Sequence, residues 1–425
     1  MAGVQLAVSL GRSNAIWSLV ANIAYAASQW VLLVVLARLS DARTLGAFSL
    51  ALAIAAPVFM ATNMRLRFVQ SADFSCRWAF ADFLKIRIGA SGIGILASLL
   101  FCLAVFGNGE MLLLLAAVGL FKAVEAVQDI CIGAFQKRSQ MRLAAVSTLA
   151  SGVLVVVAFS VTFWNSHSLV LAAFALALVR MGALLLLDVP MASRVSRDGS
   201  GAGSGAGGNA STRDGWRSIV ANAWPLGIVA ALDSLNAGVP RYFLASSHGN
   251  AELGSYAAMS HVAFAGFVLV NAFGQSMAPA LASRFGIGDR PGYKALATRL
   301  LGLALMIGLV GVLGVLAAGD WLIRILYGDG FDVSVRDFAF VMAAGAMSYV
   351  SLAIVYMLSS AQRMGVQAWV YGTNFAIVTL LSWILVPHMS IAGAALALVV
   401  AHIAQALLSV AVITRLLKRP GVGGQ

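Results

Sequence analysis

Charge is what this sequence has least of. Only 10% of its 425 residues are Asp, Glu, Lys or Arg, against about 25% in soluble domains. Carboxylates are the scarcer half, 16 against 28 basic groups, so the formal net charge is +12. The hydrophobic set makes up 61%, more than a soluble fold hides from water. Soluble enzymes, disordered chains and DNA-binding domains are excluded, and an integral membrane protein is expected. Cysteine is nearly absent too. Cys76, Cys102 and Cys131 are odd in number and lack a C-x-x-C spacing, which argues against a disulfide framework or a zinc site. The five histidines are scattered, and no G-x-S-x-G, Walker A motif or large soluble loop stands out. Neither a cofactor nor a metal is expected, and the chain is not expected to be an enzyme. Only Arg12 precedes the first apolar stretch, which is too long for the core of a signal peptide. That stretch is expected to be an uncleaved first span.

What the sequence does have is long apolar runs. A window of about 20 residues gives twelve candidate spans: 14–37, 44–63, 83–106, 111–134, 143–164, 168–187, 218–239, 253–281, 296–317, 337–360, 364–386 and 390–414. The eighth is long, with a tilt or break expected near Pro279. With alternating topology and a cytoplasmic N-terminus, 21 of the 28 basic residues fall on the cytoplasmic side. Five (Arg38, Arg43, Arg241, Arg324 and Arg336) fall outside, and Lys122 and Arg180 lie within spans. The asymmetry obeys the positive-inside rule, and both termini are expected in the cytoplasm. The basic balance therefore reads as a cytoplasmic rim suited to anionic lipids, not as a nucleic-acid surface.

The longest polar stretch, 189–216, contains SGAGSGAGGNAS, a flexible linker composition. It separates an N-terminal six-helix bundle, 1–188, from a C-terminal one, 217–425. Each half starts in the cytoplasm, so any repeat is parallel. LGAFSLA at 45–51 and LGSYAAM at 253–259 lie 208 residues apart, each after a short outside loop. The fold class expected is an all-α polytopic membrane protein, with two parallel six-helix bundles around a central cavity.

Ionisable groups inside a bilayer each need a reason. Span four carries Lys122, Glu125 and Asp129 on one helical face. An internal salt bridge fits, and so does a wet cavity for substrate or a coupling proton; the two are compatible. Arg180 in span six either snorkels or faces that cavity. Asp233 in span seven either pairs with a base across the bundle or joins Glu125 and Asp129 as an ion-coupling group. Arg241 stands at the outer end of the same span. Asn22, Tyr25 and Gln29 form a polar stripe on span one, as do Asn271 and Gln275 on span eight and His402 and Gln405 on span twelve. Interhelical hydrogen bonds or a hydrated lumen account for such stripes.

Several stretches resemble one family. They are LARLSDARTLGAFSLALAIAAP at 36–57, TNMRLRFVQSADFSCRWAFADFLKIR at 62–87, KAVEAVQDICIGAFQKRSQM at 122–141, AWPLGIVAALDSLNAGVPRYF at 223–243 and GQSMAPALASRFGIGD at 274–289. In order and spacing they look like the polysaccharide-specific transporters, or Wzx-type oligosaccharide flippases, of the superfamily that includes the MATE drug exporters and the lipid II flippase. The loop NMRLRFVQSAD lacks the G-x-x-x-D-R pattern of the major facilitators. The resemblance implies a lobed twelve-helix fold in the bacterial inner membrane. It also implies a polyprenyl-diphosphate-linked oligosaccharide cargo, flipped to the periplasmic leaflet by alternating access for surface polysaccharide synthesis. Arg65, Arg67, Lys85 and Arg87 would flank the cytoplasmic mouth, and Lys122 and Arg180 would continue a cationic path. The polar stripes on spans one and eight would meet the sugar. Polysaccharide polymerase and chain-length proteins are the implied partners. A cation-coupled exporter of drugs or small metabolites, or a membrane-embedded enzyme of polysaccharide assembly, remains the alternative.

Overall fold

In the computed structural model the described residues are 2–73, 78–107, 109–198, 215–328, 331, 333–360 and 364–418, and none of them is in a strand. The helices are α1 (Ala2–Leu39), α2 (Ala42–Asn63), α3 (Leu66–Ala72), α4 (Phe80–Phe106), α5 (Glu110–Lys137), α6 (Met141–Ser166), α7 (Leu169–Ala183), α8 (Val189–Asp198), α9 (Gly215–Gly286), α10 (Arg290–Tyr327), α11 (Val335–Ser360) and α12 (Met364–Lys418). One π-helical turn, Leu184–Asp188, joins α7 to α8.

Among the described residues, nine helices are long and apolar enough to cross a membrane. The 28-residue α5 adds a tenth. Two of the nine fold back on themselves, α9 at Gly249 and α12 at Ser390. The protein is thus a multi-pass membrane protein with the twelve spans expected. The fold-back at Ser390 falls at the expected start of span twelve. Span seven runs further than expected, to the turn at Gly249, whose φ of 83° suits a residue without Cβ. Gly249 is the non-helical residue of α9, so the helix does not break at Pro279.

The stretch expected as a flexible linker begins as helix: Val189–Asp198 continues span six as α8. Its Gly-rich remainder, 199–214, lies outside the described residues, as does Cys76.

The chain forms two compact units. Unit 1 is Met1–Val35 with Ala51–Ser234, and unit 2 is Leu36–Leu50 with Leu235–Gln425. In unit 1, Val124, Cys131 and Phe135 of α5 pack with Met141 and Ala144 of α6, Leu184 of the π turn and Ala192 of α8. Leu66 of α3, Phe83 of α4 and Ile130 of α5 pack with Ile219 and Ala223 at the start of α9. In unit 2, Val270, Leu281, Leu300, Tyr349, Ile354 and Ile413 tie together α9 to α12. Alanine is frequent in both cores, as expected where helices associate by close approach. Many large apolar side chains also point outward: Trp369 is 81% exposed and Leu186 78%. In water such a surface would aggregate; in a bilayer it meets acyl chains.

Unit 2 contains a close helix crossing built from the two similar heptapeptides. A Cβ placed on Gly46 would overlap the main-chain carbonyl of Asn250, and one on Gly254 would overlap that of Ala42. Nearby, the Arg38 guanidinium donates to the carbonyls of Leu326 (3.0 Å), Arg324 (3.3 Å) and Ile325. These lie in the last turn of α10, where carbonyls lack helical partners.

Asp41 starts α2. Its Oδ1 accepts from the Thr44 hydroxyl (2.7 Å) and amide (2.8 Å), and these two bonds hold the carboxyl below its usual range. A depressed value means stability that is present above the ordinary carboxylate pKa of about 3.9 and lost as pH falls through the folded value. Asp41→Ala is expected to cost at most about 1 kcal/mol, because the residue is exposed and solvent screens it. Thermal unfolding should show a gap from the parent protein at neutral pH that closes in acid.

Candidate functional site

The polar interior of unit 1 is organised along α5. Apolar residues alternate with polar ones at helical spacing, so Lys122, Glu125, Gln128 and Asp129 project from a helix whose other faces are buried core. Glu125 is the hub of the first cluster. It pairs with Lys122 Nζ at 2.8 Å and with the Arg180 guanidinium of α7 at 3.6 Å. From α1, Tyr25 Oη and Gln29 Nε2 each donate to it at 3.4 Å. Arg180 also donates to Gln128 Oε1 at 2.6 Å, and its guanidinium lies 5.4 Å from the Phe121 ring centre. It does not snorkel: only 3% of it is exposed.

One helical turn further along α5, Asp129 is the hub of a second cluster. Arg67 of α3 reaches it at 3.4 Å and Arg87 of α4 at 3.5 Å. Arg67 also donates to Gln136 at 3.0 Å. Arg87 is wholly buried and donates to the Asn63 carbonyl at 2.9 Å and to Asn63 Oδ1 at 2.5 Å. The sequence puts Asp129 on the face of Lys122; the tertiary fold pairs it with the arginines instead. Arg87 belongs to the core of the bundle, whereas Arg65 and Lys85 are exposed.

Arg65 sits in an unusual backbone. It and Met64 both have left-handed φ, 46° and 47°, which is uncommon for residues with side chains. Strain of this kind tends to mark functional positions, and here it turns the chain sharply between α2 and α3.

Asn22 is exposed, as is Asp233, which makes no ion pair among the described residues. The remaining sequence candidates lie in unit 2. Arg241 is half-buried and Gln275 exposed. Asn271 Oδ1 accepts from Tyr356 Oη at 2.7 Å. His402 contacts Gln405 at 3.4 Å.

Two members of the network are not apparent in the sequence. Gln128 is neutral and was hidden between the charges. Its Nε2 donates to Asp188 at 2.9 Å, while Ser147 of α6 donates to the same carboxylate through its hydroxyl. Asp188 falls one residue past the expected end of span six, as the last residue of the N-terminal bundle. The π turn carries it into the core, where it is 1% exposed. The signal was an Asp ending the run LLLLD. Among the described residues no His, Cys, Asp and Glu group is arranged to hold a metal.

No protein-family model matches the chain. It is 22% identical over 390 residues to the capsular polysaccharide biosynthesis protein CapF of Staphylococcus aureus, covering 90% of this chain and 94% of that one. Its fold is similar to that of a multidrug resistance MATE family transporter of the MOP superfamily solved in an inward-facing conformation. The TM-score is 0.68 at 13% identity, over 94% of this chain and 96% of the other. A Vibrio cholerae MATE transporter gives 0.64 at 14%, over 97% and 99%. At these identities the likeness is one of fold, and the chain has the MATE fold.

Proposed function

We infer that the protein transports a lipid-linked oligosaccharide bearing a diphosphate across the inner membrane for surface polysaccharide synthesis. The observation that carries this reading is the charge ladder on α5. Two carboxylates, Glu125 and Asp129, are each set between two cations, which leaves the ladder itself, before Asp188 is counted, a surplus of two positive charges inside a membrane bundle. A surplus buried charge is costly, and an anionic ligand offsets it. A diphosphate matches in sign and size and takes strong charge-assisted hydrogen bonds from Arg and Lys.

The exposure of the groups supports the same reading. Side-chain exposure is 19% for Lys122, 27% for Arg67 and 35% for Asp129, so the ladder is reachable. Arg65 and Lys85 are available for a first encounter. Asn22, Tyr25 and Gln29 offer amide and hydroxyl groups of the kind that bind sugars. The capsular polysaccharide relative points to the same cargo class. In this reading the bundles 1–188 and 217–425 expose the cargo to each leaflet in turn, with α8 (Val189–Asp198) moving as part of the first. The polymerase and chain-length proteins then act on the delivered product.

The test is the two single variants Lys122→Gln and Arg180→Gln, made separately. Each change leaves Glu125 one cation, so the bundle should fold. Losing a charge-assisted hydrogen bond costs about 1.5–3 kcal/mol, or roughly a tenfold change or more for each. Export of the surface polysaccharide is expected to fall at least tenfold at normal protein level, with lipid-linked oligosaccharide accumulating in the cytoplasmic leaflet. Normal export by both single variants would overturn the cargo assignment and favour drug or metabolite export.

A further inference from the structure

The ladder accounts for Glu125 and Asp129 but leaves a third carboxylate unused. Asp188 is buried and receives hydrogen bonds from two neutral groups, the Gln128 amide and the Ser147 hydroxyl. Among the described residues no cation lies within ion-pairing distance of it. Buried carboxylates are normally paired with a cation, so this one needs another reason.

Its surroundings are specific. On α5 it faces Gln128 and on α6 Ser147, with the Cys131 thiol of α5 and the Arg180 guanidinium of α7 the titratable groups within reach of its field. Leu184, which opens the same π turn, packs in the core with Ala192 of α8. Gln128 joins the two sides of this arrangement: its Oε1 accepts from Arg180 and its Nε2 donates to Asp188. The amide is thereby fixed in one orientation, with its oxygen toward the cation and its NH2 toward the carboxylate. Ser147 has more freedom. A hydroxyl both donates and accepts, so it can donate to an ionised Asp188 and accept from a protonated one. A proton arriving on the oxygen that faces Ser147 needs only a rotation of that hydroxyl.

We propose that Asp188 is a proton-binding site that sets the anion affinity of the Lys122–Arg180 cluster. Ionised, Asp188 cancels one of the two surplus positive charges. Protonated, it restores that charge beside Arg180, and the cluster holds an anion more tightly. By linkage the reverse also holds: a bound anion favours the proton. The inference rests on the reading of this cluster as an anion site and adds the control of that site by a proton. The π turn is what brings the group into register; π-helical turns are rare and frequent at functional positions.

The experiment uses the full-length protein in lipid nanodiscs, with geranylgeranyl diphosphate as the probe. Calorimetric binding is measured from mildly alkaline to acid pH, and infrared spectra are recorded over the same range. The parent protein is expected to bind about tenfold more tightly as pH falls, within the ordinary range of site-to-site coupling. Asp188→Asn is expected to bind at the tight limit at every pH. Ser147→Ala removes one of two donors to the ionised carboxyl, so the gain should set in at higher pH. The infrared carbonyl band of a protonated carboxyl should grow with acid in the parent and be missing in Asp188→Asn. If Asp188→Asn keeps the parent's pH dependence of binding, the proton site is overturned while the anion reading stands. If the probe fails to bind the parent at any pH, the anion reading falls. The infrared titration then decides Asp188 by itself: a band lost in Asp188→Asn supports the proton site, and a spectrum unchanged by that substitution overturns it.

Discussion

Arg87→Ala should be the most damaging single change in unit 1, destabilising the protein by about 3 kcal/mol. Truncating one partner of a buried ion pair typically costs about 3–5 kcal/mol, because the other charge is left behind. Here the cost falls at the low end of that range, since Asp129 is 35% exposed and keeps Arg67. The loss also strips a donor from the Asn63 carbonyl and from its side-chain oxygen, and it empties a space that no solvent reaches. Arg67→Ala makes the informative contrast. That side chain is 27% exposed, water replaces much of what it gives, and a loss of about 1 kcal/mol is expected. Thermal unfolding of the two purified variants in detergent checks the ranking. Equal melting temperatures would contradict the assignment of Arg87 as a core group.

The second large effect is expected in unit 2. Gly254→Val puts a branched side chain where Ala42 presents its main-chain oxygen. Backbone yields less readily than a side chain, so the helices must separate. Overpacking of this kind costs about 1–3 kcal/mol, and the contact of Gly46 with Asn250 is lost along with it. Gly302→Ala is the control. An added Cβ there meets nothing within 4 Å, and alanine is the better helix former by about 0.5–1 kcal/mol. Melting temperature should drop in Gly254→Val and hold or rise in Gly302→Ala. A Gly254→Val protein as stable as the parent would show that the crossing is loose.

How much of this was legible in the sequence follows the reach of each signal. Hydropathy acts over about 20 residues, so it found all twelve spans, and Lys122 and Glu125 stood out because charge is rare there. The partner of Asp129 was not legible. Arg67 and Arg87 lie 62 and 42 residues away, on helices whose rotation only packing decides. Asp188 was missed for a different reason. Its helix has an extra residue in one turn, and an α-helical count places that carboxylate at the end of the membrane span instead of in the core. Neutral Gln128 gave no signal, because a single glutamine costs too little in a helix to be conspicuous. The short span seven had a local cause: Arg241 and His248 lower the hydropathy of a helix that continues to Gly249.

The glycine crossing carries one more consequence. Gly46 meets Asn250, Gly254 meets Ala42, and positions 42 and 46 lie 208 residues before 250 and 254. Written in the numbering of one half, the first position touches the second of the other half, and the second touches the first. That reciprocity defines an isologous interface, the kind two identical subunits form about a twofold axis. The single chain therefore keeps, at this crossing, the contact geometry of a homodimer of half-length subunits. A substitution in either heptapeptide is constrained by the other as though each were its own partner.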